Sequence, residues 1–128
     1  MRFFDTHAHL NDESFDTDRA ALIEGLPSCG AELIMDVVCA AEDFEKTLEI
    51  TAKYPFIYGA YGIHPHYASD PGENWEARLR RALCDKKAAC LGEIGLDYHY
   101  DLSEKEDQKK LFDYQLKLAK ELGFPVSL

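Results

Sequence analysis

The chain has 128 residues, 24 acidic against 14 basic side chains and a formal charge of −10. Its length is one domain's worth, and 46% hydrophobic with 12% aromatic residues excludes a disordered segment. The charge excludes a broad basic face for non-specific nucleic-acid binding, and no apolar run nears the about 18 residues of a membrane span.

The predicted elements alternate. A first strand over Arg2–Thr6 runs into Asp5-Thr6-His7-Ala8-His9-Leu10. Residues two apart on a strand point the same way, about 6–7 Å apart at Cα, so His7 and His9 can offer their imidazoles to one metal ion. Asp5 has the same parity and is a candidate third ligand or outer hydrogen-bond acceptor. A helix from about Thr17 to Leu26 stops at Pro27. A second strand covers Glu32–Val38. The next helix carries Phe44, Leu48, Thr51 and Ala52 on one face and ends before Pro55.

A third strand over Ile57–Gly62 leads into Tyr61-Gly62-Ile63-His64-Pro65-His66. His64 and His66 stand in a loop stiffened by proline, placed to meet a substrate phosphate or a metal-bound water. Asp70-Pro71 reads as an N-cap followed by proline at the first helical position. The helix after it turns Trp75, Leu79, Ala82 and Leu83 to one side. A fourth strand over Ala88–Ile94 contains Glu93 among apolar neighbours, where a carboxylate is costly unless paired or metal-bound. Gly92 and Gly95 flank it and permit close backbone approach. Asp97 and Tyr98 follow in a loop, where substrate contacts concentrate. Ser103-Glu104-Lys105-Glu106 reads as a capping box, opening a helix through Leu111, Leu118 and Leu122. Gly123 and Pro125 close that helix, and Pro125–Leu128 begins a fifth strand.

This β-α alternation predicts a parallel sheet with right-handed crossovers. Two architectures fit: an open doubly wound sheet of five strands, and the first half of a (β/α)8 TIM barrel, about four βα units plus the start of the fifth strand. The second is preferred, because the chain stops inside a buried strand. Residues 1–128 are then expected to form one partial barrel domain, truncated at its C-terminal end. On a flat sheet the first and fourth strands lie roughly 14 Å apart, so one metal site can join them only if the sheet curls. Exposed strand edges would favour self-association. Cys29, Cys39, Cys84 and Cys90 form no C-x-x-C pair. Cys39 and Cys90 read as small core residues, and a cytoplasmic location is expected.

Phe4-Asp5-Thr6-His7-Ala8-His9-Leu10, Gly62-Ile63-His64-Pro65-His66 and Gly92-Glu93-Ile94-Gly95-Leu96-Asp97-Tyr98 together resemble the TatD family of metal-dependent DNases. The resemblance extends over the whole chain but over about half of the family's length. It implies a TIM barrel with one or two divalent ions (Mg2+, Mn2+ or Zn2+), His7 and His9 ligating one and Glu93 bridging the pair as the catalytic carboxylate. It implies hydrolysis of phosphodiester bonds in DNA by the full-length parent. His64, His66, Asp97 and Tyr98 would lie on the substrate side, with His64 orienting phosphate. The family's remaining ligands, two His and an Asp, fall beyond Leu128. Two other readings stand beside this one: a catalytically inactive half-barrel or interaction module, and an amidohydrolase acting on C–N bonds.

Overall fold

A computed structural model describes residues 1–128. Its four strands are β1 (Phe3–Ala8), β2 (Ala31–Val37), β3 (Ile57–Tyr61) and β4 (Ala88–Leu91). All pair in parallel, in the spatial order β1-β2-β3-β4. Val126 then bridges Leu91 in parallel on the far side of β4. Each new strand is therefore added on the same edge. A doubly wound sheet reverses its strand order partway across, and this one does not, so the winding is that of a barrel. The Pro125–Leu128 segment is a single bridge and not a full strand. Leu91 N donates to the Pro125 carbonyl and Ser127 N to that of Leu91, at 2.9 and 3.0 Å.

The helices are α1 (Arg19–Gly25), α2 (Phe44–Lys53), α3 (Trp75–Leu83) and α4 (Lys105–Leu122). Two expected helix starts are corrected. α3 does not begin at Asp70-Pro71. Gly72 turns the chain with φ of 88°, and Asn74 is the N-cap at φ of 53° without a side-chain cap. α4 has no capping box, because the Ser103 hydroxyl is engaged elsewhere. It donates to the His66 carbonyl at 2.7 Å and accepts from Ser69 N at 3.2 Å. Glu104 takes the N-cap position instead.

The core has two parts on the helix side of the sheet. Phe44, Tyr61, Ile63, Leu79, Leu91 and Leu118 fill the space between β3, β4 and the three later helices. Phe44 and Tyr61 meet edge to face at 5.8 Å. Leu10, Ile23, Ile34, Ile50 and Ile57 fill the space under β1 and β2. Side chains alternate along a strand. Since Ile34 and Asp36 face the helices, Met35 and Val37 face the opposite side, where Val37, Ala60 and Cys90 form a small third cluster. Cys90 is thus a core residue, as expected. Trp75 and Tyr114 pack edge to face at 5.1 Å between α3 and α4. Arg78 and Arg81 reach Glu45 of α2, and Arg80 reaches Glu121 of α4. No helix is long and apolar enough to cross a membrane.

Candidate metal centre

The carboxyl ends of β1 and β4 meet. His7 is the last but one residue of β1, and His9 follows immediately after the strand. Glu93 stands two residues beyond the end of β4 and not within the strand. His7 Nε2 lies 3.2 Å from Glu93 Oε2. One donor atom each from His7, His9 and Glu93 lies within 4.8 Å of the others. The sheet is therefore curled enough to close the roughly 14 Å that a flat one would leave between these strands.

Close chain packing places Glu93. A side chain on Gly92 would run into Ser127 at 2.7 Å, and one on Gly62 into the Gly92 backbone at 2.8 Å. Only glycine lets the β3 and β4 ends and the Ser127 segment approach this closely. Gly95 differs: its surroundings are open, and its φ of 153° is the feature that suits glycine.

The imidazoles are oriented through their second nitrogens. His9 Nδ1 lies 2.9 Å from the Val37 carbonyl, an acceptor only, so Nδ1 carries the proton and Nε2 presents a lone pair. The same carbonyl accepts from Asn11 Nδ2 at 2.8 Å. Asn11 also donates through its side chain and backbone to Asp36 Oδ1, and Thr47 donates to Asp36 Oδ2. Asp36 is wholly buried, and burial pushes its carboxyl up against these hydrogen bonds. Asp5 does not touch either ring. Its Oδ1 accepts the backbone N–H of His7 at 3.1 Å.

His64 stands beside Glu93, with Nε2 4.0 Å from Oε1. His66 N donates to His64 Nδ1, so the proton of a neutral His64 is on Nε2, facing Glu93. Burial, with His66 next, lowers its basicity and keeps it neutral. His66 turns away and donates Nε2–H to Asp97 Oδ2 at 2.5 Å. That bond, with the N–H groups of Tyr100 and His99, pulls the Asp97 carboxyl down to about 2. Asp97 is thereby an anchor for His66. Tyr98 is exposed, with Lys105 Nζ 5.2 Å from its ring centre. A cleft of about 380 Å³ beside the centre is lined by His64, Glu93, Ile94, Leu96 and Asp97 among others.

Sequence reasoning missed three parts of the site. Gln115 of α4 is buried and grips the loop before His64, accepting from Ile63 N at 2.7 Å and donating to the Ile63 carbonyl at 3.0 Å. Gln108 does the same for Asp97, at 2.8 and 3.1 Å. Both share the inward stripe of α4 with Leu111 and Leu118, and a polar residue inside such a stripe was the available signal. Cys39 is the third and corrects the expectation of a plain core residue. It is only partly buried, and its Sγ lies 4.0 Å from Glu93 Oε2. Burial and then the Glu93 charge push its thiol up to about 11.

Two imidazole nitrogens and a carboxylate oxygen at the open end of a parallel barrel wall suit a divalent cation of borderline hardness. That defines a class: α/β barrel proteins with a candidate metal site at the carboxyl ends of the strands. The chain matches the family model described as TatD related DNase over residues 4–128 and belongs to that family. It is 41% identical, over 96% of its length, to the uncharacterized metal-dependent hydrolase YabD of Bacillus subtilis (strain 168) and covers 48% of that protein. It is 31% identical to the 3'-5' ssDNA/RNA exonuclease TatD of Cronobacter sakazakii, over 98% of this chain and 48% of the other. The crystal structure of YjjV, a TatD homolog from Escherichia coli K12, superposes with a TM-score of 0.87 at 35% identity, covering 98% of this chain and 49% of that one. The chain spans about half the length of the curated relatives it matches.

Proposed function

We propose that this chain is the N-terminal half of one barrel domain whose complete form hydrolyses phosphodiester bonds of DNA with divalent metal ions. The observation that carries the reading is the convergence of His7, His9 and Glu93. Support for a nucleic-acid substrate comes from relatives named as ssDNA/RNA exonucleases. In this reading His7, His9 and Glu93 would hold a divalent ion, and Glu93 would be the carboxylate shared with a second ion if one binds. Mg2+, Mn2+ and Zn2+ all fit, with imidazole favouring the latter two. Bound metal supplies a water acidic enough to ionise near neutral pH and polarises the phosphoryl oxygen.

The chain's own residues do the rest. His64 Nε2–H, held neutral and aimed by the His66 backbone, donates to a phosphate oxygen. His66 and Asp97 fix the wall of the cleft, and Tyr98 borders the substrate side. Metal charge at the centre would offset the repulsion that a chain of net charge −10 exerts on a polyanion. The four free cysteines fit a reducing, cytoplasmic setting.

The test is digestion of end-labelled single-stranded DNA by the barrel-length protein containing these residues. Loss of label with Mn2+ or Mg2+, abolished by a chelator and by Glu93→Gln, is the expected result. Cleavage of a cyclic amide with DNA left intact would replace this reading with that of a C–N amidohydrolase.

A further inference from the structure

We propose that Tyr100 is a stacking platform for a base of single-stranded nucleic acid, set beside the metal centre. The inference rests on the nucleic-acid reading above and names a residue that holds the strand. A row of rings leads outward from Glu93. His64 Nε2 lies 4.0 Å from Glu93 Oε1. The His64 and His66 rings are 4.2 Å apart, those of His66 and Tyr100 5.9 Å, and those of Tyr100 and His99 4.7 Å. Tyr100 meets its two neighbours at 88° and 78°, so neither lies flat over it. The residue is 67% exposed. Tyr98 differs, because the Lys105 ammonium lies over its ring, 5.2 Å from the centre.

Tyr100 is held in place despite its exposure. Asp97 Oδ1 accepts the backbone N–H groups of His99 and Tyr100 at 2.9 and 3.1 Å, while Oδ2 accepts from His66 Nε2. At the other end of the loop, the Ser103 hydroxyl donates to the His66 carbonyl at 2.7 Å. Both ends of the segment 97–103 are therefore tied to His66. A ring fixed in this way loses little freedom when a base settles on it. Charge selects the kind of contact. Asp101, Glu104 and Lys105 follow Tyr100 within five residues, so the loop offers no excess of positive charge to a phosphate backbone. Stacking needs none, since every base has a π-face. Bases inside a duplex are already paired and stacked on one another, so the platform favours an unpaired strand.

The test couples the ring to a base in a double-mutant cycle. Barrel-length protein containing these residues is given single-stranded oligonucleotides with one abasic residue placed at each position in turn, and KM is measured with Mn2+. Stacking of one base on an aromatic side chain is worth about fivefold or more in binding. In the wild type, one abasic position should raise KM at least fivefold. Tyr100→Ala should raise KM for the intact strand by a similar factor, and the abasic residue at that position should then add nothing. Tyr100→Phe should behave as wild type, because the ring and not the hydroxyl makes the contact. A KM in Tyr100→Ala equal to wild type overturns the proposal and leaves the nuclease reading standing. So does a rise that is equal on intact and abasic strands at every position. Wild-type protein that binds Mn2+ but cleaves none of the strands overturns the nuclease reading itself and this inference with it.

Discussion

His7 Nε2 and Glu93 Oε2 lie 3.2 Å apart, although β2 and β3 stand between the strands that carry them. A flat sheet would hold these groups roughly 14 Å apart. The contact therefore reports the curl of the sheet and, with it, the barrel geometry that gathers strand ends around one axis.

Gln115 links that curl to the helix layer. It satisfies both the N–H and the carbonyl of Ile63, the residue before His64. Gln115→Leu keeps the volume but leaves two buried backbone groups unpaired, at about 1–3 kcal/mol each. We expect the urea midpoint to fall by an equivalent amount, with α4 still helical by circular dichroism. A midpoint within error of wild type would show that the clamp carries no stability.

Asp36 supports His9 through Asn11 and the Val37 carbonyl. Asp36→Asn retains an acceptor for Asn11 and should cost little. Asp36→Ala strands the Asn11 and Thr47 donors and should cost about 2–4 kcal/mol in equilibrium unfolding. It should also weaken Mn2+ binding, because the Asn11 amide that shares the Val37 carbonyl with His9 then keeps only that one partner. Equal behaviour of the two variants would contradict the assigned role.

Asp97 gives a pH signature. Its folded carboxyl is pulled from 3.8 to about 2, chiefly by the hydrogen bond from His66. The unfolded chain then takes up the proton first, so the contribution is fully present above about pH 4 and lost as pH falls toward about 2. Asp97→Asn should lower stability at neutral pH and converge with wild type in acid. A stability difference independent of pH would contradict the pairing.

β1 is an open edge with Phe3 and Phe4 exposed at 39% and 54%. For the 128-residue chain alone, we predict self-association that strengthens with salt, since salt screens the −10 charge. Phe4→Lys should shift sedimentation equilibrium toward monomer. A monomer at all salt concentrations would show that the edge is protected.

Much of this was legible in the sequence because it is periodic or local. The strands announced themselves as short apolar runs, and His7-x-His9 as a pair at the end of the first one, His7 within it and His9 just past it. What the sequence hid is what depends on distant chain. Ser103 looked like a cap, but it binds His66 and Ser69, more than 30 residues away. Cys39 looked like core because its neighbours are apolar, and only the fold sets it against Glu93. The strand order, which decides between barrel and doubly wound sheet, is likewise a property of tertiary pairing.

The central claim is that His7, His9 and Glu93 form one metal site. Calorimetric titration of the wild-type chain with Mn2+ or Zn2+ tests it most directly, beside His7→Ala, His9→Ala and Glu93→Gln. The account predicts binding in the micromolar range, weakened at least tenfold in each variant, with folding unchanged by circular dichroism. Affinity that stays the same in all three variants would contradict it.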